Sequence, residues 1–173
     1  RADVERRSMF ETLSTYKKVN AAGSYLNNTG GGKVKNKLEY EMKHKFVIAF
    51  ENSSRSGYTT EKLVSALVAG SVPIYWGNPD ISREFNTKRF INCHDFKNFE
   101  EVLDRVKEID TNDELYLSIV NEPIASNVYN FDDVLKNFEA FIKNIIDQPL
   151  ETAVRCTINT VHALVMKDQG RIL

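Results

Sequence analysis

Phe46-Val47-Ile48-Ala49-Phe50 and Val72-Pro73-Ile74-Tyr75-Trp76 are two apolar runs with a helical pattern between them. A near-continuous run of this length suits a strand covered on both faces of a parallel sheet. A polar loop, Glu51–Tyr58, follows the first run. Thr59 then suits the cap of a helix to about Ala69, with Leu63, Ala66 and Leu67 on one face and Gly70 as its stop. Gly77-Asn78-Pro79 turns the chain after the second run. Strand, helix and strand within about 30 residues match the size of a crossover unit.

The pattern extends both ways. Upstream, Met9, Phe10 and Leu13 predict a helix over Val4–Tyr16. Lys18–Gly23 reads as a short strand entering the loop Asn27–Gly32, and Lys35–Lys43 as a helix. Downstream, Ile81–Phe85 suits a short helix and Arg89–Cys93 a strand. Phe99, Val102, Leu103, Val106 and Ile109 form a helical stripe. Leu115–Glu122, Phe131–Ile146 and Glu151–Lys167 also read as helices. Strands alternating with helices imply an α/β fold with a mainly parallel sheet over 1–130, and 131–173 reads as a helical C-terminal extension of the same domain.

Composition removes several classes. Hydrophobic residues are 42% and charged residues 27%, which excludes disorder and collagen-like repeats. Lys+Arg is 23 against Asp+Glu 24, a net charge of −1 that argues against a bulk grip on nucleic acid. No apolar run approaches the roughly 20 residues that span a bilayer. Only Cys93 and Cys156 occur, so there is no disulfide framework, and a reducing, cytoplasmic compartment is the expectation. With no initial Met, the chain is expected to be a piece of a longer protein or a processed one.

Ligands of open parallel sheets bind beyond the carboxyl ends of the strands. Ser24–Lys33, Glu51–Tyr58 and Gly77–Asp80 are the loops expected there. The second leads into a helix whose first turn carries Glu61 and Lys62, and a helix N-terminus beside a lysine favours phosphate. The plain alternative is an ordinary solvated first turn. No Walker loop, G-x-G-x-x-G or nucleophile elbow is present. His44, His94 and His162 lack metal-ligand spacing, and no Asp-x-Asp occurs, so no metal is expected. From the residues alone the reading ends at an α/β domain suited to a phosphate-bearing ligand.

The same loops, read as strings, carry a resemblance. Phe46-Val47-Ile48-Ala49-Phe50-Glu51-Asn52-Ser53, Gly57-Tyr58-Thr59-Thr60-Glu61-Lys62 and Val72-Pro73-Ile74-Tyr75-Trp76-Gly77 resemble the signature of the α-1,3-fucosyltransferases, glycosyltransferase family 10. Phe85-Asn86, Phe90-Ile91-Asn92 and His94-Asp95-Phe96 resemble bacterial members of Helicobacter type, and Tyr16-Lys17-Lys18-Val19 also fits. The match runs over about residues 6–130.

The resemblance implies the C-terminal, donor-binding half of a GT-B enzyme with two Rossmann-like domains. It implies GDP-fucose as donor, a GlcNAc- or Glc-containing glycan of Lewis type as acceptor, and inversion at the sugar. The acceptor domain and general base would lie outside this chain. It implies Arg6 and Lys62 as cations on the pyrophosphate, with Arg7 the adjacent alternative. Glu61 would accept hydrogen bonds from sugar or ribose hydroxyls or stabilise an oxocarbenium-like sugar, and Asn52 and Tyr58 would be further donor contacts. Glu51 stands between a ligand role and a loop-shaping one. Lys62, as a first-turn side chain, is expected to be replaceable without loss of the fold. Peripheral contact with the inner face of a bacterial membrane is a further expectation, although the Phe131–Ile146 stripe with its mixed-charge polar face favours core or domain contact. The competing readings are a GT-B transferase for another nucleotide sugar and a non-catalytic nucleotide-binding module.

Overall fold

The structure, a computed structural model, describes residues 3–31, 34–128 and 130–149. Two compact units divide the chain, Arg1–Tyr129 and Asn130–Leu173. The first holds a three-stranded parallel sheet in the order β1 (Phe46–Phe50), β2 (Val72–Trp76) and β3 (Ile91–Asn92). Phe46 pairs with Val72 and Phe50 with Trp76. Helix α3 (Glu61–Val68) crosses from β1 to β2 and ends at Gly70, whose φ of +76° is the left-handed geometry glycine adopts most readily.

Alternation along β1 divides the core into two layers. Phe46, Ile48 and Phe50 face helices α1 (Asp3–Ser14), α4 (Phe99–Asp110) and α5 (Asp113–Val120), where Met9, Leu13, Val102, Val106 and Ile109 are buried. Val47 and Ala49 face α3, with Leu63, Ala66, Leu67, Tyr75 and Phe90. The short α2 (Lys37–Glu41) reaches α3 through a hydrogen bond from the Ser65 hydroxyl to Glu41. Asp110, at the end of α4, accepts from Tyr16 Oη at 3.0 Å and pairs with Lys17, while its carbonyl accepts from Lys45 at 3.2 Å. The end of α1 is thereby held beside the start of β1.

Several expectations are corrected. Lys18–Ala22 forms no strand, because Asn28 takes its main chain: Asn28 Oδ1 accepts from Ala21 N–H at 2.9 Å, and Asn28 Nδ2 donates to the Val19 carbonyl at 2.7 Å. Ser24–Lys33 therefore does not follow a strand. The third strand is only Ile91–Asn92, since Asn92 accepts from the His94 N–H and starts a 3-10 turn at Cys93. The cap of α3 is Thr60, one residue later than expected. β1 is an edge strand, and its first three residues are only half-buried. In the second unit, α6 (Phe131–Ile146) has the expected bounds, and no residue of it is buried. The expected helix Glu151–Lys167, with Cys156 and His162, lies outside the described residues.

Candidate functional site

The carboxyl end of β1 gathers the polar chemistry of the domain. The Glu51 N–H donates to the Trp76 carbonyl at 2.8 Å, so the ladder runs one residue past the strand. The Glu51 side chain is completely buried. Its Oε1 accepts from the Thr60 N–H at 2.7 Å, and its Oε2 from the Thr60 hydroxyl at 2.6 Å and the Lys62 ammonium at 3.2 Å. Both oxygens are satisfied, as a buried carboxylate requires. Glu51 is thus the loop-shaping residue of the two alternatives left open. Thr60 has the backbone of an N-cap but no side-chain capping bond, because its hydroxyl is committed to Glu51 and Lys62.

Gly77 makes room for this arrangement. A Cβ there would stand 2.4 Å from Glu51 Cγ and 2.7 Å from Tyr75 Oη. Asn78, also fully buried, ties the neighbouring loops together. Its Oδ1 accepts from the N–H groups of Gly57 at 3.0 Å and Asp80 at 2.9 Å, and its Nδ2 donates to Thr59 Oγ1 at 3.1 Å.

Two cations reach Glu51 from different helices. Arg6 on α1 donates through Nη2 to the Phe50 carbonyl at 3.1 Å, the Glu51 carbonyl at 3.4 Å and Asn52 Oδ1 at 3.5 Å. Lys62 on α3 reaches the Glu51 carboxylate. Their side chains keep 27% and 24% of their surface open, enough to meet an anion at this end of the sheet. Arg7 instead pairs with Glu11 at 3.1 Å on the exposed side of α1. Glu61 is mostly exposed, with its carboxylate 3.5 Å from Lys62. Its own backbone N–H first, and then the Lys62 ammonium, hold its carboxyl below the usual range, so it stays ionised.

Of the five sequence-predicted residues, Arg6, Asn52, Glu61 and Lys62 meet around the end of β1. Tyr58 is half-buried in the same loop and makes no side-chain hydrogen bond to the other four. Sequence reasoning placed the Gly77–Asp80 loop at this end but assigned no role to Thr60, Gly77 or Asn78. Gly77, directly after a buried strand, was the available signal for a close approach.

One cavity of about 710 Å³ is lined by Arg6 and, toward the amino end of β1, by Lys45, Phe46, Ile48 and Asp110. The other, about 490 Å³, lies beyond β2 and β3 between Ser8, Trp76, His94 and Lys97. There His94 Nε2 lies 3.1 Å from the Gly77 carbonyl. Among the described residues no group of three His, Cys, Asp or Glu side chains could hold a metal ion.

A parallel sheet covered on both faces, with cations at the carboxyl end of a strand, defines a Rossmann-like α/β domain. Residues 1–122 match the model of Glycosyltransferase family 10 (fucosyltransferase) C-term, and the chain belongs to that family. It is 37% identical over 147 residues to an alpha-(1,3)-fucosyltransferase of Helicobacter pylori, covering 82% of this chain and 30% of that protein. It is 37% identical over 103 residues to 4-galactosyl-N-acetylglucosaminide 3-alpha-L-fucosyltransferase 9 of Mus musculus, covering 58% of this chain and 27% of that one. A crystal structure of alpha1,3-fucosyltransferase with GDP-fucose superposes with a TM-score of 0.72 at 34% identity, over 82% of this chain and 44% of that one. The chain therefore spans less than half the length of these relatives.

Proposed function

We propose that this chain is the donor-binding domain of an inverting α-1,3-fucosyltransferase that transfers L-fucose from GDP-fucose to a GlcNAc- or Glc-containing glycan. The observation that carries this is the convergence of Arg6 and Lys62 on Glu51 at the carboxyl end of β1. Family membership and a solved relative holding GDP-fucose support the choice of donor.

In the transfer, the bond from the sugar C1 to the β-phosphate oxygen breaks and its electron pair stays on GDP. An acceptor hydroxyl oxygen attacks C1 from the opposite face, and its proton passes to a base outside this chain. Charge on the leaving diphosphate grows toward the transition state, where Arg6 and Lys62 stabilise it. Ionised Glu61 accepts hydrogen bonds from sugar or ribose hydroxyls and stabilises positive charge developing on the sugar ring. Asn52 and Tyr58 complete the donor contacts. With two cations offsetting the diphosphate, no metal is required: GDP binding survives a chelator, and binding lost in EDTA but restored by manganese would contradict this. The Cys content supports a reducing, cytoplasmic setting for the whole protein, which acts on Lewis-type glycans at the inner face of a bacterial membrane.

Calorimetry tests the donor assignment. GDP binds well above ADP and UDP, and GDP-fucose above GDP-mannose. Equal affinity for the three nucleotides leaves only a generic phosphate site, and equal affinity for the two sugars points to another nucleotide-sugar transferase.

A further inference from the structure

Asn78 sits where two loops meet at the carboxyl end of the sheet. Its side chain has no exposed surface, yet all four of its hydrogen-bonding positions are used. Oδ1 accepts from the N–H groups of Gly57 and Asp80, at 3.0 and 2.9 Å. Nδ2 donates to Thr59 Oγ1 at 3.1 Å and to Glu84 Oε1 at 3.3 Å. A fully satisfied buried amide accepts one arrangement of its partners, because any other leaves a polar group unpaired away from water. Two of the four partners, Gly57 and Thr59, flank Tyr58.

The loop between β1 and α3 is held at two separate points. At its base, the Glu51 carboxylate bonds Thr60 and closes the loop. At its tip, Arg55–Tyr58 fold into a turn. The Tyr58 N–H donates to the Arg55 carbonyl at 3.1 Å, and Gly57 takes a left-handed φ of +74°. Arg55, Ser56 and Gly57 are exposed, so burial does little to fix them. Among the described residues, every hydrogen bond these three make outside the turn goes to the segment after β2. The Gly57 N–H donates to Asn78, and the Ser56 hydroxyl to Asp80. Resting on the donor-binding reading, in which Tyr58 touches GDP-fucose, we propose that Asn78 is a positioning residue of the donor site. It holds the tip of the loop, and with it Tyr58, in place for the donor. The Glu51 clamp, which holds Lys62, acts independently of it.

Calorimetry with GDP-fucose and residue-resolved amide exchange test this together. Asn78→Ala should lower GDP-fucose affinity about tenfold. In a Tyr58→Ala background the same change should cost less than about twofold, and in an Arg6→Ala background the full loss of about tenfold, since only Tyr58 depends on Asn78. The Gly57 amide should exchange at least ~10-fold faster in Asn78→Ala, while the Glu51 amide, bonded to the Trp76 carbonyl, should be unchanged. Equal losses in the two backgrounds, no loss at all, an unchanged Gly57 amide or faster exchange at both amides would each overturn the proposal, leaving Asn78 a merely structural residue. Should Asn78→Ala fail to fold, Gly57→Val decides in the same two backgrounds. It strains the same bond from an exposed position, because a β-branched residue resists the left-handed φ and a Cβ there meets nothing within 4 Å. Absence of GDP-fucose binding in the parent would refute the donor reading and this role with it. Loss of the coupling to Tyr58 alone would refute this role and leave the donor reading standing.

Discussion

The Lys62 ammonium lies 3.2 Å from the carboxylate of Glu51, a side chain with no exposed surface. This relationship changes what a substitution at Lys62 does. It is the one cation among the described residues bonded to that buried carboxylate. Lys62→Ala leaves Glu51 with Thr60 alone, so the change should cost about 1–3 kcal/mol of stability. A first-turn side chain is expected to be replaceable without loss of the fold, and the bond to buried Glu51 is the reason a measurable cost is predicted here. Urea denaturation of the variant checks this, and an unchanged midpoint would mean that the Lys62–Glu51 contact adds nothing to stability.

Arg6→Ala should weaken GDP binding by about one to two decades, the worth of a charge-assisted contact. Arg7→Ala should leave it unchanged, because Arg7 pairs with Glu11 on the exposed side of α1. Titration of both variants with GDP distinguishes them. A larger loss at Arg7 than at Arg6 would reverse the assignment.

Gly77→Ala forces a methyl group to within 2.4 Å of Glu51 Cγ. Overpacking of this kind costs about 1–3 kcal/mol. The displaced Glu51 should also carry Lys62 with it and reduce GDP affinity. Denaturation and calorimetry on one preparation check both effects, and a variant as stable as the parent would show that the loop yields freely.

Asp110 gives the domain an acid-sensitive tie. The Lys17 ammonium and then the Tyr16 hydroxyl hold its carboxyl below the usual carboxylate range. A lowered native value means stability present above the unfolded value and lost as pH falls through the native one. Asp110→Ala should cost about 1–2 kcal/mol at pH 7, and the difference from the parent should shrink as pH falls below about 4. Denaturation midpoints from pH 7 to pH 2 measure this. A constant difference would remove the ionised carboxylate from the account.

The strands β1 and β2 and the helices α1, α3, α4 and α6 were legible because each is a local pattern, an apolar run or a stripe of period 3.6. The failures share a different cause. Lys18–Ala22 has strand-like residues, but Asn28 claims its backbone from seven and nine positions away. Thr59 and Thr60 are the same residue type, and Glu51, distant in sequence, decides which one caps α3. The burial of Glu51 depends on the empty space at Gly77, 26 residues on, which no window of sequence contains. The proposed donor-site residues were visible only as strings. Spacing alone did not separate Lys62 from a solvated first turn, or Arg6 from Arg7.

The phosphate role of Lys62 must be separated from its service to Glu51. The double variant Lys62→Ala/Glu51→Gln removes the cation together with the buried charge it neutralises. It should recover about 1 kcal/mol relative to Lys62→Ala, since a neutral amide can bond Thr60 without a counter-charge. GDP affinity measured by calorimetry against Glu51→Gln alone is the direct test. The expected result is a fall of about one to two decades in a folded protein, with guanosine binding unchanged. Equal GDP affinity in the two variants would contradict the account, leaving Lys62 as the counter-ion of Glu51 and nothing more.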